Sequence, residues 1–149
     1  MKKTLFAFVI LACLIACKSN DKKTDAPPLT QEEKNKAVND SANFTTIQWV
    51  DSTTLSLGKL KKDREVEVTF RFKNSGDKNL IIENVSAGCG CTIPEKPEQP
   101  FAPGQEGVIK AKFNGSGHGP ISKTVTVIAN TNPQKEHILT FTGEIEEKK

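Results

Sequence analysis

Most of the chain is predicted to fold as an all-β domain, because its hydropathy has a period of two and turn signals recur at short intervals. The clearest example is the run 65–72, in which Val66, Val68, Phe70 and Phe72 share one face. Such alternation is typical of half-buried antiparallel strands. Turn-forming residues separate the runs at 74–77, 103–104, 114–120 and 130–133. About 100 residues with this spacing predict an immunoglobulin-like antiparallel β-sandwich of about seven to eight strands.

Seven segments are predicted as strands, and together they place the β-sandwich at residues 44–146. They are 45–50, 53–58, 65–73, 79–86, 107–114, 122–130 and 136–145. An eighth strand, short and irregular, is expected near 92–94. No segment after residue 43 has a helical period, so the sandwich should contain no helix.

The first sixteen residues have the features of a bacterial secretion signal. Lysines at positions 2 and 3 precede an apolar run, 5–16, and that run is about half of the roughly 20 residues that span a bilayer. Residues 14–17, Leu-Ile-Ala-Cys, resemble the lipobox of lipoproteins. The resemblance implies cleavage after Ala16 and lipidation of Cys17, which would anchor the mature protein in a membrane. An ordinary signal peptide with an incidental cysteine is the alternative.

Residues 17–43 comprise the lipidated cysteine and a predicted flexible tether. Residues 18–25 are all polar, a composition that buries too little surface to offset the entropy of ordering. Thr30 and Glu33 fit a capping box, so a short helix over 31–38 can form, but it should be marginal because it has no apolar face. We therefore expect a lipid-anchored domain in the cell envelope. The periplasmic side is favoured over the cell surface because no acidic patch follows the lipidated cysteine.

The charge balance argues against a nucleic-acid partner. Without residues 1–16 the chain has 19 basic residues, which is 21 minus the two lysines of the signal, against 18 acidic ones. Proteins that bind polyanions usually have a marked excess of positive charge. No nucleophile elbow, phosphate loop or zinc-protease motif occurs. We therefore expect no catalysis and no cofactor, and the sequence identifies no small-molecule substrate. The expected partners are the membrane, through the lipid, and an envelope protein.

Several short motifs in a fixed order resemble a known family of bacterial envelope domains. They are Phe70-Arg-Phe72-Lys-Asn74-Ser-Gly76, Leu80-Ile-Ile82, Cys89-Gly-Cys91-Thr92, Pro103-Gly104, Lys110-Ala-Lys-Phe113 and Leu139-Thr-Phe-Thr-Gly143. Their spacing and order are similar to those of the DUF1573 family over about residues 55–145. The resemblance implies an immunoglobulin-like fold, often behind a lipoprotein signal, and no assigned activity.

Cys89 and Cys91 are the thiols that remain once Cys13 leaves with the signal and Cys17 carries lipid, and three states are open to them. A disulfide is sterically possible, with Cα atoms expected near the upper end of the 4.4–6.8 Å range. Two reduced thiols packed as small apolar groups are the second state. The third is a site for a soft metal such as Cu(I), with His118 as the candidate third ligand.

The two histidines have predicted structural roles, His118 in a turn and His137 at a strand end. The Cys-Gly-Cys connection and the 114–120 loop should lie at the same end of the sandwich only if a strand forms near 92–94. We expect His118 to lie beyond coordinating distance of both sulfurs. The sequence thus predicts a binding or structural module without catalytic activity. A thiol-based copper or redox module that uses Cys89 and Cys91 is the alternative.

Overall fold

The structure, a computed structural model, describes residues 30–146. Helix α1 (Gln31–Asn39) and a 3-10 turn (Ser41–Asn43) precede the strands. The strands within this range are β1 (Ile47–Trp49), β2 (Thr54–Lys61), β3 (Val66–Asn74), β4 (Ile82–Ala87), β5 (Thr92–Glu95), β6 (Glu106–Phe113), β7 (Gly119–Ala129) and β8 (Glu136–Glu146). The predicted cleavage after Ala16 and the lipidation of Cys17 fall outside the described residues and stay predictions.

The strands form two packed sheets, which confirms the predicted all-β sandwich. The first sheet has the order β1-β3-β6-β5 and the second has the order β2-β8-β7-β4. One pairing differs from the antiparallel prediction, because β2 runs parallel to β8. Alternating hydropathy predicts which face of a strand is buried, but it does not predict the direction of the neighbouring strand.

Strand β2 continues to Lys61, beyond the predicted end at residue 58. The register with β8 shifts between Ser56 and Lys59, and Gly58 has a φ of +65° there. Such a bulge resets the alternation, so that Leu60 points into the core with 7% of its surface exposed. The period-two pattern therefore breaks although the strand does not.

The short strand expected near 92–94 is present as β5. It pairs antiparallel with residues 110–113 of β6 at all four of its positions, so it is more regular than predicted. The chain thus passes from β4, at the edge of one sheet, to β5, at the edge of the other.

The core lies between the sheets and is formed by alternate residues of the strands. Phe70, Phe72, Phe113 and Phe141 lie at its centre with no exposed surface. Aliphatic side chains fill the remaining space: Leu60, Val68, Leu80, Ile82, Ile109, Ala111, Val125, Val127, Ala129, Leu139 and Ile145. Burial of a side chain of this size contributes about 1.5–3 kcal/mol.

Helix α1 begins at the predicted capping box. The Thr30 hydroxyl accepts a hydrogen bond from the Glu33 N–H, and the Glu33 carboxylate accepts one from the Thr30 N–H. These bonds satisfy backbone donors that the first turn would otherwise leave unpaired. No helix within residues 30–146 has the length and apolar character needed to cross a membrane.

Contrary to the expectation of a marginal helix, α1 packs against the sandwich beside β4. Val38 is 1% exposed, and Lys34 is 3% exposed with its Nζ 2.5 Å from Glu98 Oε2. Lys135 Nζ donates a hydrogen bond to the Val38 carbonyl at 2.6 Å. One apolar residue does not form a recognisable apolar face, but a lysine can also bury its alkyl chain while its ammonium reaches a partner. Residues 31–43, assigned above to the tether, therefore belong to the folded body.

Candidate functional site

The Cys-Gly-Cys connection joins the edge strands of the two sheets. Cys89 and Cys91 form a disulfide with their Cα atoms 5.3 Å apart, which is in the middle of the usual range and not at its upper end as expected. Both residues are partly exposed. The Gly88 N–H donates to the Thr124 carbonyl of β7, and the Thr92 N–H donates to the Cys89 carbonyl. The three-residue ring therefore fixes the turn from β4 to β5.

A polar side chain lies close to the disulfide. The hydroxyl of buried Thr92 lies 3.8 Å from Cys89 Sγ and 4.0 Å from Cys91 Sγ. The Asn114 N–H donates to the Cys91 carbonyl at 3.0 Å, so the 114–120 loop begins at the same end as the connection, as expected where β5 forms. His118 in that loop is exposed. Across the part of the chain that the structure describes, no three His, Cys, Asp or Glu side chains are grouped to hold a metal ion.

His137 is placed at the start of β8, the strand-end position predicted for it. Its Nε2 lies 2.8 Å from the Thr131 hydroxyl, which itself donates to the Gln134 carbonyl. Its ring packs edge-on against Trp49 with 5.9 Å between ring centroids. Burial lowers the pKa of His137 from its usual value of 6.5, because the charged imidazolium loses water contacts. These contacts give His137 a packing role.

A groove that the sequence analysis missed lies beside β6, and we call it the β6 groove. Its volume is about 320 Å³. It is lined by Glu95, Lys96, Pro97, Phe101, Gly107, Val108 and Lys110. Strand β5 creates the groove by ending early, because the last pair of β5 and β6 is Glu95 with Lys110. Residues 106–109 of β6 therefore pair with β3 on one side and have no paired strand on the other.

Gly107 makes room for the aromatic wall of the groove. A Cβ atom at this position would lie 2.4 Å from Phe101 Cε1 and 2.6 Å from Phe72 Cζ, distances far below van der Waals contact. The Phe101 ring can therefore lie across the strand and pack edge-on against Phe72, with 4.9 Å between ring centroids. Asn74 Nδ2 donates to the Phe101 carbonyl at 2.8 Å and holds its backbone. A glycine inside a strand pattern was the sequence signal for this close approach.

The main-chain groups of Val108 point into the groove. The Asn74 N–H bonds the Gln105 carbonyl, so the odd-numbered residues of β6 bond β3 and the even-numbered ones face away from it. If the register continued beyond Glu95 and Lys110, Pro97 would come opposite Val108, and proline has no N–H to donate. Within residues 30–146, no backbone hydrogen bond from Val108 towards this side is present.

Charged side chains surround the apolar surface of the groove. Lys96 Nζ lies 3.4 Å from Glu98 Oε1, and Lys110 Nζ lies 3.4 Å from Glu67 Oε1. Glu95 is bonded more closely by Lys112, at 3.0 Å, and this hydrogen bond lowers the pKa of Glu95. The ion pairs of Lys96 and Lys110 are therefore longer than the ion pair between Glu95 and Lys112.

A second depression, of about 520 Å³, lies on the exposed side of α1. All of its lining residues come from a single stretch of chain: Glu32, Asn35, Lys36, Asn39 and Asp40. It has no opposing wall, so it is a weaker binding site than the β6 groove despite its larger volume.

Solved structures share the sandwich fold at low sequence identity. A protein of unknown function from Porphyromonas gingivalis W83 has a TM-score of 0.61 and 15% identity, over 70% of this chain and 49% of that one. This chain thus spans about half the length of that protein. The PapD-like domain 7 of human CEP192 has a TM-score of 0.56 and 11% identity, over 72% and 89% of the two chains. The VesB protease of Vibrio cholerae has a TM-score of 0.53 and 9% identity, over 74% and 34%.

These likenesses establish the immunoglobulin-like, PapD-like sandwich and carry no further information at such identities. No curated protein matches the chain. The model of the family described as "Protein of unknown function (DUF1573)" matches residues 47–145. That range covers all eight strands described above except the last residue of β8, and the resemblance read from the motifs is confirmed. The chain belongs to the DUF1573 family.

Proposed function

We propose that this protein is a lipid-anchored binding module of the bacterial cell envelope, without catalytic activity, which holds a partner protein in the β6 groove. The observation that carries the proposal is the groove itself, which joins an apolar wall, an unpaired stretch of strand and two lysines. Protein-binding sites commonly combine an apolar centre with polar groups that set orientation.

The titratable groups support a module without catalysis. Among the described residues, those with a shifted pKa belong to exposed ion pairs, to the cap of α1, or to the packing of His137. Catalytic groups are usually perturbed by burial and by a specific charged partner within a cleft. The β6 groove contains Glu95, whose pKa is lowered through its hydrogen bond from Lys112 on the sheet surface. A carboxylate held ionised in this way is poorly suited to proton transfer.

The proposed anchor is the lipid on Cys17, with the periplasmic side of the envelope favoured. Its support is the sequence of residues 14–17. The substitution Cys17→Ser should abolish incorporation of labelled palmitate and move the protein from the membrane fraction to the soluble fraction. Unchanged labelling and sedimentation in that variant would refute the anchor.

The proposed binding site can be tested by photo-crosslinking in intact cells. We would place p-benzoylphenylalanine at Pro97 in the groove and, as the matched control, at exposed Lys61 on β2. The Pro97 position should give one discrete adduct with an envelope protein identified by mass spectrometry, and the Lys61 position should not. The absence of an adduct at Pro97, or the same adducts at both positions, would contradict the binding function.

A thiol-based copper or redox module is the second candidate, and the exposure of the Cys89–Cys91 pair is the observation in its favour. Two reduced thiolates suit a soft ion such as Cu(I). Protein reduced with a phosphine and dialysed against Cu(I) should then retain one equivalent, and the double variant Cys89→Ser/Cys91→Ser should retain none. Equal copper retention by both proteins would eliminate this candidate.

A further inference from the structure

Among residues 30–146, no backbone group pairs with the main-chain donor and acceptor that Val108 presents to the β6 groove. The Val108 N–H and C=O face away from β3, because the neighbouring bonds Asn74 N–H to Gln105 C=O and Asn114 N–H to Cys91 C=O fix the alternation along β6 from both sides. Lys110 and Lys112 face the same way and lie opposite Glu95 and Ile93 of β5. Val108 is the next position in this series, and it lies beyond the end of β5.

The lack of a partner for Val108 follows from the amino-acid sequence. Continuing the register of β5 would bring Pro97 opposite Val108, and proline has no N–H for the Val108 carbonyl. The chain then turns away through Pro100 to Phe101, whose backbone is paired with Leu80 at 2.8–2.9 Å. A free main-chain pair at the edge of a sheet is the feature that recognises an extended peptide.

The side chains at this point indicate what kind of peptide would fit. Val108 is 39% exposed and lines the groove together with Pro97 and Phe101, so it offers apolar contact. Lys96 and Lys110 line the same groove, and each is 3.4 Å from its glutamate partner. A carboxylate of a ligand could form a charge-assisted hydrogen bond with either lysine, and such bonds are the stronger class.

We propose that the β6 groove binds an extended, acidic segment of a partner protein, in which apolar and acidic residues are close together and one residue pairs with the main chain of Val108. This inference rests on the proposed binding function and names the ligand class for the same site. The segment lies beside residues 106–109, in the position that β5 leaves after Glu95. About four residues of strand, at roughly 3.4 Å each, define the length of the contact.

The test uses the full lipoprotein in detergent and a labelled peptide as the probe. Fluorescence anisotropy would measure binding of an end-capped, fluorescein-labelled hexapeptide, Thr-Val-Asp-Val-Asp-Thr. Two matched peptides would carry Lys in place of both Asp residues, or N-methyl groups on both Val residues. The acidic peptide should saturate, and both matched peptides should bind about tenfold or more weakly, because each lacks one charge-assisted or main-chain interaction.

Variants of the protein test whether the acidic peptide binds at the β6 groove. Lys110→Glu and Lys96→Glu should each weaken binding of the acidic peptide about tenfold, whereas Lys61→Glu on β2, which makes the same charge change, should leave it unaltered. Val108→Pro should abolish binding while its β3 pairing and circular dichroism spectrum are kept. If that variant fails to fold, the loop substitution Lys96→Glu still decides the question.

Four results would overturn the inference. The lysine peptide could bind as well as the acidic one, or the two groove lysines could prove no more sensitive than Lys61. A dimer by sedimentation velocity that Lys110→Glu abolishes would instead identify a second copy of this chain as the occupant. If the hexapeptide does not bind while Pro97 crosslinks a partner in cells, the binding function stands and the acidic-peptide assignment is wrong. If both fail, the binding function fails with it.

Discussion

Two neighbouring edges of the sandwich differ in how they are covered. The edge strand β4 has helix α1 packed beside it, with Val38 buried. On the first sheet, β5 covers β6 only as far as the pair of Glu95 with Lys110. Unpaired strand edges invite association with other chains, so proteins usually protect them. The comparison indicates that the short open stretch of β6 is an exception in an otherwise protected molecule.

The other edges support this view, because each has a feature that limits pairing. Strand β1 has three residues. Strand β2 has a bulge at Gly58 and exposed lysines at 59 and 61. Strand β5 has four residues, one of which is Pro94. Short length, bulges, lysine and proline are the common means of protecting an edge, so binding through a strand edge would be directed to residues 106–109.

The largest loss of stability is expected from Gly107→Ala, in the unpaired stretch of β6. The new methyl group would meet the rings of Phe101 and Phe72 at 2.4 Å and 2.6 Å, and both rings are held by their neighbours. We expect the free energy of unfolding to fall by about 3 kcal/mol, the upper part of the range for overpacking. Urea titration measures this loss. Gly90→Ala is the control, because no atom lies within 4 Å of a Cβ there, and an equal loss in both variants would contradict the packing described at Gly107.

A somewhat smaller loss of stability is expected from Val38→Asp, which should detach α1 from the edge strand β4. Burial of a valine contributes about 1.5–3 kcal/mol, and a buried carboxylate without a partner adds a penalty, so α1 should detach at a cost of about 2 kcal/mol. Amide hydrogen exchange of residues 31–39 should accelerate, and trypsin should cleave faster after Lys34 and Lys36. Asn35→Asp, at an exposed position of α1, is the control. Unchanged exchange in the Val38 variant would show that the helix does not depend on docking.

The disulfide in the Cys-Gly-Cys connection between β4 and β5 should contribute less to the free energy of unfolding. Closing a ring of three residues lowers the entropy of the unfolded chain only slightly, so Cys89→Ser/Cys91→Ser should lower the free energy of unfolding by about 1–2 kcal/mol. Peptide binding at the β6 groove should persist, because the ring and the groove lie at opposite ends of β5. Calorimetry and the anisotropy assay measure the two quantities. Loss of peptide binding at full folding would show that the ring controls the groove.

The smallest expected effect is a loss of α1 stability at acidic pH. The hydrogen bond from Lys34 is the main cause that lowers the pKa of Glu98 from 4.5. A carboxyl group whose pKa is lower in the folded state stabilises the fold above its unfolded pKa, and this contribution is lost as the pH falls through the folded pKa. Exchange protection of α1 should therefore decrease below about pH 4.5. In Lys34→Met, which keeps the buried chain and removes the charge, that decrease should be weaker. An identical pH profile in both proteins would exclude the ion pair as the cause.

The local pattern predicted the strands well where one face alternates without interruption. The run containing Phe70 and Phe72 became β3, and the Leu139 and Phe141 run became β8. The pattern failed where a single residue changes the geometry, as at Gly58, whose bulge hid the second half of β2. The helix over 31–38 was predicted from its capping box, but its docking was missed, because Val38 owes its burial to contact with the sandwich and not to an apolar face of the helix.

The family, the sandwich, the capping box of α1 and the pairing options open to Cys89 and Cys91 could all be derived from the sequence, because each is carried by short motifs of neighbouring residues. The parallel partner of β2, the docking of α1 and the β6 groove depend on contacts between distant parts of the chain, so they could be recognised in the folded protein alone. The groove needs the end of β5, the ring of Phe101 and the main chain of Val108 at one place. These residues meet because β5 pairs with β6 from Thr92 onward and stops pairing after Glu95. No local pattern specifies where a strand stops pairing, since that depends on the competing contacts of the whole sheet.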